Sequence, residues 1–237
     1  MNSNKPPTIS VVIPAYNEEK YLPKTLESVA KLDRKADEVV VIDGGSTDAT
    51  AKVARSLGAI VITTQHQGIG YARQKGVEAG RSDIMAFTDA DTIVPGNWLT
   101  KIEAILVRSG VVGVFGGFRV PDGPWFYRFY INVIQPPFNQ ILYWMGLPMA
   151  SGQNLAFWKE KAMSVGGFPT DYKIAEDIEM ARRLQTVGKV VYLPNLVVSA
   201  SGRRGNEGWK LLPRVTKAFL LYFFFRKANT VGFPDQR

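Results

Sequence analysis

Residues 84–91 read Ile-Met-Ala-Phe-Thr-Asp-Ala-Asp, and this stretch decides the fold prediction. The apolar residues predict a short buried strand over Ile84–Thr88, and two aspartates follow it directly. On both sides of this stretch, short apolar strands alternate with helices, which indicates βαβ units and a parallel sheet. Right-handed crossovers then place helices on both faces. We therefore expect an α/β fold with a Rossmann-like, mostly parallel central sheet and helices on both faces.

The predicted elements fall into two regions that meet near Pro121. Before it, strands are expected at Ile9–Ile13, Glu38–Ile42, Ile60–Thr64, Ile84–Thr88 and Val111–Phe118, with helices at Glu18–Leu32, Asp48–Leu57, Ile69–Ala79 and Pro95–Val107. After it, the pattern predicts two short amphipathic helices within Trp125–Leu147, broken at Pro136. Further elements are then expected: a strand at Leu155–Trp158, a helix at Ile178–Leu184, a strand or strand pair at Lys189–Ser199 broken at Pro194-Asn195, and a final helix at Trp209–Lys227.

Composition excludes several classes of protein. The chain has 237 residues, no Cys and one His, so disulfide scaffolds, thiolate zinc sites, iron–sulfur clusters and multi-His metal sites are excluded. Any metal must be held mainly by carboxylates, which favours Mg²⁺ or Mn²⁺. The start of the chain is polar and no stretch of about 18 apolar residues occurs, so neither a signal peptide nor a membrane span is expected.

Polar residues follow three of the predicted strands, at Pro14–Glu18, Asp43–Asp48 and Asp89–Asp91. Ligands of open parallel sheets bind outside the carboxyl ends of the strands, so these clusters are expected to meet in one crevice. Asp89 and Asp91 would repel each other unless a cation or donor neutralises them, although capping of a helix is an alternative. Asp43 is expected to be half-buried and to bind a nucleobase or cap its own turn, whereas Asp48 is expected to be structural.

These clusters resemble those of family 2 glycosyltransferases, whose fold is the nucleotide-diphospho-sugar-binding type called GT-A. The resemblance rests on PAYNEE, VVVIDGGSTDAT, GIGYARQKG and FTDADT, and it continues through Ser151–Asn154, Gly166–Pro169, Ala175–Asp177 and Ser201–Arg204. It covers about residues 8–205. It implies an inverting, metal-dependent transfer of a sugar from a nucleoside diphosphate donor.

The resemblance also implies roles for particular residues. Donor binding would fall to Pro14, Ala15, Tyr16, Asn17, Glu18, Asp43, Arg73, Asp89, Ala90 and Asp91, with Asp91 and Asp89 also holding Mn²⁺ or Mg²⁺. Asp177 would be the general base, with Glu176 as second choice; the alternative for Asp177 is capping of the next helix. Acceptor or phosphate contacts would come from Gly152, Gln153, Asn154, Arg203, Arg204 and Trp209. A surface position for Arg73 and a solvated pair for Arg203-Arg204 are the alternatives, and His66 is expected to be exposed.

Comparison with other members of the family narrows the choice of sugar donor and of acceptor. The run Arg203–Trp209 lacks the Q-x-x-R-W motif of processive synthases, which favours a single transfer. A phosphate acceptor needs no base, so Glu176-Asp177 favours a hydroxyl acceptor. The resemblance is strongest to archaeal membrane-associated mannosyltransferases with a minimal cellulose-synthase-like core, which implies GDP-mannose and a lipid-linked glycan. A UDP-sugar donor or a polyprenyl phosphate acceptor stays open.

Two other classes of function are disfavoured. A nucleotidyltransferase would be expected to carry a Gly-rich loop with Lys or Arg after the first strand, and this chain has none there. A nucleic-acid binder is disfavoured because the aromatic residues near the end of the chain are consecutive rather than interleaved with polar residues.

Charge and aromatic residues suggest a membrane surface as a partner. Residues 200–237 carry eight Lys or Arg against two Asp or Glu, and Trp125–Leu147 with Phe219–Phe225 hold 13 of the 27 aromatics. This pattern is typical of interfacial helices, although ordinary core helices are the alternative. We expect a catalytic domain over 1–205 with 125–147 inserted, a basic aromatic segment over 206–237, and a location at the cytoplasmic face of the cell membrane.

Overall fold

Strand β1, which spans Ile9–Ala15, lies inside the sheet, because all seven of its residues are buried and it has a parallel neighbour on each side. The computed structural model describes residues 5–172 and 174–210, with backbone alone for 207–210. The strands are β1 (Ile9–Ala15), β2 (Glu38–Asp43), β3 (Ile60–Thr63), β4 (Ile84–Phe87), β5 (Thr92–Ile93), β6 (Val111–Arg119), β7 (Leu155–Trp158) and β8 (Lys189–Ala200). The helices are α1 (Leu22–Ala30), α2 (Thr50–Ser56), α3 (Ile69–Ala79), α4 (Trp98–Leu106), α5 (Trp125–Phe129), α6 (Gln135–Trp144), α7 (Lys159–Ser164) and α8 (Glu176–Gln185).

The eight strands form one mixed sheet in the order β3-β2-β1-β4-β7-β6-β8-β5. Strands β1 to β4, β6 and β8 share one direction, whereas β7 and β5 run against it. The expectation of a mostly parallel α/β sheet is therefore confirmed. Two features were not predicted: β7 lies between β4 and β6, and the two-residue strand β5 pairs with β8. Because β7 is reversed, its first residue, Leu155, pairs with Phe87 at the end of β4.

The core consists of two layers, one on each face of the sheet. Alternate residues of β1 point to opposite faces, as expected for a strand. Ile9, Val11 and Ile13 join the apolar layer under α1 and α4, whereas Val12 joins the layer under α3 and α8. Burying each aliphatic side chain of this kind contributes about 1.5–3 kcal/mol. The sheet is thus covered by an apolar layer on each face.

Residues 125–144 form one continuous helical segment, so the predicted break at Pro136 is wrong. A π turn over Tyr130–Ile134 joins α5 to α6, and Pro136 lies in the first turn of α6. A proline ring clashes with the carbonyl one turn earlier in a regular α-helix, and the wider π turn lies at that point. Tyr127 and Ile131 pack against Val120 and Ala200, while most of the other apolar side chains of the segment are exposed.

Strand β8 is a single strand with an irregularity at the predicted break. Its register against β6 jumps from Leu193 opposite Gly116 to Val197 opposite Gly117, so Pro194-Asn195 lies in a bulge. Residues Gly202–Lys210 then form a 3₁₀ helix, and the remainder of the predicted final helix lies outside the described residues. In the part of the chain that the structure describes, none of the helices has both the length and the apolar content needed to cross a membrane.

Candidate active site

The loops after β1 and β2 are tied together at one edge of the sheet. Asn17 adopts a left-handed backbone conformation (φ 52°), which Asn tolerates better than most residues. Its backbone N–H donates to Ser46 Oγ at 2.8 Å, and its side-chain oxygen accepts a hydrogen bond from the Thr47 N–H at 2.9 Å. The N–H of Glu18 donates to Thr50 Oγ1 at 2.7 Å. Asn17 therefore joins the two loops.

A cleft beside these loops has the position expected for a nucleoside pocket. Pro14, Ala15, Tyr16 and Gly44 line it. The loop Thr64–Gly68, which was not predicted to form part of the site, lines it as well. The exposed ring of His66 lies 4.1 Å from that of Tyr16, centroid to centroid. This loop follows β3, so the strand-end rule applied to a fourth strand would have found it.

The two aspartates after β2 have different environments. Asp43 is buried rather than half-buried as predicted, and one of its carboxylate oxygens accepts a long hydrogen bond, 3.3 Å, from the Ser46 N–H. It thus braces its own turn. Asp48 accepts hydrogen bonds from the backbone N–H groups of Thr50 and Glu19, at 2.9 and 3.2 Å, which confirms its structural role.

The carboxylates of Asp89 and Asp91 are each paired with an arginine. Arg73 Nη2 lies 2.8 Å from Asp89 Oδ1, and Arg203 Nη2 lies 2.9 Å from Asp91 Oδ2. Burial raises the pKa of Asp91 to about 6; Arg203 opposes this rise, and the negative charges of Asp89 and Glu18 add to it. The repulsion expected between closely spaced acids is thus real, and two guanidinium groups offset it.

Ala90 lies between these aspartates and is a core residue. Its side chain is buried in the apolar layer, and its carbonyl accepts a hydrogen bond from Thr25 Oγ1 at 2.8 Å. Its side chain therefore points into the core, and the predicted contact between Ala90 and the donor stays a prediction.

Arg203 is anchored by Glu18 and Tyr21. Its Nη2 and Nη1 atoms lie 2.6 and 3.0 Å from the two carboxylate oxygens of the buried Glu18. Its guanidinium also lies 4.7 Å from the centroid of the Tyr21 ring. Arg203 is therefore not a solvated residue, whereas Arg204 is exposed and acts on Asp91 through its charge.

Arg73 is buried at the centre of the site rather than at the surface. It is 3% exposed and forms ion pairs with Asp89 and Glu176. Its guanidinium lies against Gly152, so closely that a Cβ atom on Gly152 would overlap it. Both terminal nitrogens hold carboxylates, so Arg73 positions Asp89 and Glu176, and its predicted contact with the donor stays a prediction.

Asp177 lies in the first turn of α8, at the same cluster. Its Oδ2 accepts from the Gly152 N–H and its Oδ1 from the Ile178 N–H, both at 2.8 Å. Burial raises the pKa of its carboxyl, and Arg73 and these hydrogen bonds oppose that rise. Glu176 is buried and engaged by Arg73, whereas Asp177 is partly exposed. Asp177 is thus the carboxylate of the pair that a substrate can reach.

The turn at Gly152–Asn154 reaches the site because β7 is reversed. Gln153 accepts a hydrogen bond from Thr92 Oγ1 at 3.1 Å. Asn154 is buried, accepts from Trp98 Nε1, and donates to the carbonyls of Gly117 and Leu196. Asn154 therefore braces the sheet, and its predicted contact with an acceptor stays a prediction. For Trp209 the structure describes the backbone alone.

The carboxylates of this edge fit a hard divalent cation only in part. Their oxygens are of the kind that Mg²⁺ and Mn²⁺ prefer, and the positive group of Arg203 already lies against Asp91. Within residues 5–172 and 174–210, however, no three acidic or histidine side chains gather in the manner of a metal site. A cation here would therefore need further oxygens from its ligand, as a diphosphate provides.

Comparison with known proteins agrees with this geometry. The family profile described as Glycosyl transferase family 2 matches residues 10–178. The glycosyltransferase AglE of Haloferax volcanii is 28% identical over 192 residues, which are 77% of this chain and 62% of AglE. A glucosyl-3-phosphoglycerate synthase of Mycolicibacterium paratuberculosis is 38% identical over 127 residues, covering 48% of this chain and 38% of that protein. The chain thus spans less than two thirds of these curated relatives.

A solved structure matches almost the whole chain. It is the mannosyltransferase PcManGT from Pyrobaculum calidifontis, in complex with GDP-Man and Mn²⁺. It is 25% identical, the TM-score is 0.73, and the match covers 98% of this chain and 67% of that one.

Proposed function

Because the chain belongs to glycosyltransferase family 2, we propose that it is an inverting enzyme that moves mannose from GDP-mannose to a hydroxyl group of a lipid-linked glycan. One observation carries this proposal: the carboxylates that follow β1 and β4 and those in the first turn of α8 lie in one charge cluster linked by Arg73 and Arg203. The cluster adjoins a cleft with an aromatic side formed by Tyr16 and His66. The proposal assigns the nucleoside to this cleft and the diphosphate to the side of the site where Asp91 lies.

In the proposed reaction, Asp177 is the base that takes the proton of the acceptor hydroxyl. The oxygen of the acceptor hydroxyl forms a bond to the anomeric carbon of the donor sugar, while the bond from that carbon to the diphosphate oxygen breaks. Asp177 takes the hydroxyl proton, which an unactivated alcohol cannot lose at neutral pH. The raised pKa of Asp177 suits this role, because a stronger base accepts the proton more readily. The Gly152 N–H holds the carboxylate in place.

A divalent cation, Mn²⁺ or Mg²⁺, would be held by Asp91 with Asp89 nearby. When bound, it stabilises the negative charge that develops on the departing diphosphate. The protein's own contribution on that side is Arg203, since a guanidinium can bind phosphate oxygens in pairs. Support for the cation comes from the carboxylate oxygens of the site and from the complex of PcManGT with Mn²⁺.

The proposed donor, GDP-mannose, rests on the similarity to PcManGT. PcManGT is described with GDP-Man, which favours GDP-mannose for this chain. The 38% identical relative is a glucosyl-3-phosphoglycerate synthase, so a glucosyl donor is the competing candidate. The acceptor is assigned to a lipid-linked glycan because an aromatic face at α5–α6 would seat the protein at the cytoplasmic face of the membrane.

Thermal denaturation with a panel of nucleotide sugars, with and without Mn²⁺, tests the proposal. A ligand that binds only the folded chain raises the melting temperature in proportion to its occupancy. GDP-mannose with Mn²⁺ is expected to give the largest rise, and UDP-glucose is the matched comparison. A larger rise with UDP-glucose would reassign the donor, and no rise with any nucleotide sugar would contradict the proposal.

A further inference from the structure

Arg203 lies where a metal ion would meet its protein ligand. It is tied to Glu18 by two hydrogen bonds, to Asp91 by an ion pair at 2.9 Å, and to the face of Tyr21. The Glu18 side chain is 2% exposed and that of Asp91 16%, so water screens these charges poorly. The protein therefore supplies a cation of its own to the carboxylates of this edge.

Two cations cannot share the exposed side of Asp91 without strong repulsion. Like charges a few ångströms apart repel strongly where water screens them poorly. A divalent cation therefore has to displace Arg203 from Asp91. Without a new anion, the guanidinium would give up this carboxylate and would keep Glu18 as its remaining partner.

We propose that Arg203 is a resident counter-ion that occupies Asp91 in the ligand-free protein, so that a divalent cation binds tightly only together with a nucleoside diphosphate. The diphosphate supplies the oxygens that the protein lacks around the cation, and it supplies Arg203 with a replacement anion. Asp91 thus exchanges Arg203 for the metal in the same event that brings the donor. This inference rests on the proposed function, because it takes Asp91 as the metal ligand and a nucleoside diphosphate as the donor.

Direct Mn²⁺ titration of the full chain, followed by electron paramagnetic resonance of the free ion, tests this exchange. Wild type is expected to bind Mn²⁺ alone weakly, and GDP or UDP is expected to raise its affinity at least tenfold. Arg203→Met removes the competing cation and is expected to bind Mn²⁺ alone roughly tenfold more tightly than wild type. Arg204→Met is the matched control, since it removes the same charge one residue away and should change the affinity less than threefold.

Thermal denaturation without nucleotide provides a second measurement. Arg203→Met leaves Glu18 and Asp91 without their shared cation, so it should melt below wild type, and Mn²⁺ alone should restore much of that loss. Arg203→Lys keeps the charge but cannot bind both carboxylates with the same fork of donors, so its affinity for Mn²⁺ alone should lie between those of wild type and Arg203→Met.

Three results would overturn the inference, and they are distinguishable. Equal gains in affinity for Mn²⁺ in Arg203→Met and Arg204→Met would show that the loss of any nearby positive charge has the same effect. Wild type that binds Mn²⁺ equally well with and without nucleotide would contradict the exchange while leaving the proposed function intact. Wild type that binds no Mn²⁺ even with GDP or UDP would contradict the metal site of the proposed function, and the inference with it.

Discussion

Asp177 offers a test at the scale of one residue. Asp177→Asn keeps an oxygen that can accept one backbone N–H, so the local fold should survive, but an amide cannot take up the acceptor proton. Turnover is therefore expected to fall by roughly 10²–10⁴-fold, the usual contribution of a general base. Donor affinity should change little, because the donor cleft is lined by other residues. Product formation and nucleotide affinity are measured on one preparation, and parallel loss of both would make Asp177 structural.

Gly152 is a second residue whose substitution is informative. A Cβ atom there would overlap the buried Arg73 guanidinium, which cannot move without giving up Asp89 or Glu176. Gly152→Ala should therefore cost about 1–3 kcal/mol of stability, as overpacking usually does, and reduce turnover as well. Gly117→Ala is the matched control, because its Cβ would lie 3.8 Å from the Tyr192 hydroxyl. Equal denaturation midpoints for the two variants would contradict the close packing.

The sequence predicted many site residues but not how they pair. Asp89 and Asp91 follow from a strand end, which is a local feature, whereas Glu176 and Asp177 were indicated by the resemblance to the family. The bond between Arg203 and Glu18 joins residues 185 positions apart, and nothing in the local pattern of either indicates the other. Arg73 lies on a helix with a mixed polar surface, so its burial depends on the carboxylates that meet it.

At the scale of elements, the face of α5 and α6 calls for a test. Trp125 and Trp144 are 76% and 75% exposed, and Phe129, Phe138 and Ile141 are each about half exposed. Exposed aromatic side chains of this density are typical of interfacial helices. Trp125→Ser with Trp144→Ser should reduce co-sedimentation with both neutral and anionic lipid vesicles several-fold.

The control for this experiment removes apolar surface elsewhere. Leu57→Ser with Val107→Ser acts on two residues that are 46% and 55% exposed at the ends of α2 and α4. These substitutions should leave vesicle binding unchanged. If both pairs reduced binding equally, the effect would be one of general hydrophobicity, and α5–α6 would have no special part in it.

The hydrophobic periodicity predicted which helices and strands exist but not the direction of each strand in the sheet. The ends of β1, β2 and β4 lie within two residues of the prediction because these strands are apolar and buried on both faces. The reversal of β7 leaves no trace in its four apolar residues, since a buried strand has the same pattern in either direction. The two residues of β5 are too few to form a pattern at all.

At the scale of the whole molecule, positive charge is concentrated towards the end of the chain. Residues 211–237 carry five Lys or Arg against one Asp. Each basic residue close to an anionic bilayer contributes about 1 kcal/mol of attraction, which salt screens. A full-length variant with Lys217, Arg226 and Lys227 changed to Gln should therefore lose binding to anionic vesicles at low salt and differ little from wild type at high salt.

A variant that loses three positive charges elsewhere in the chain separates the effect of where the charges lie from the effect of net charge. Lys31, Lys52 and Arg108 are exposed, and their replacement by Gln removes the same three charges. This variant should bind anionic vesicles nearly as well as wild type. Equal loss in the two variants would show that only net charge matters, and the terminal segment would then have no particular role at the membrane.

The pairing of Glu18 with Arg203 also has a consequence for folding of the chain during its synthesis on the ribosome. Strands β1 to β4 precede residue 90 and pair among themselves, so they can assemble while the remainder is still being synthesised. Glu18 gains its partner only when synthesis has reached residue 203, and closure of so long a loop is entropically slow. A nascent chain could therefore fold the cleft beside Tyr16 and His66 early, whereas the ion pair between Glu18 and Arg203 would form last.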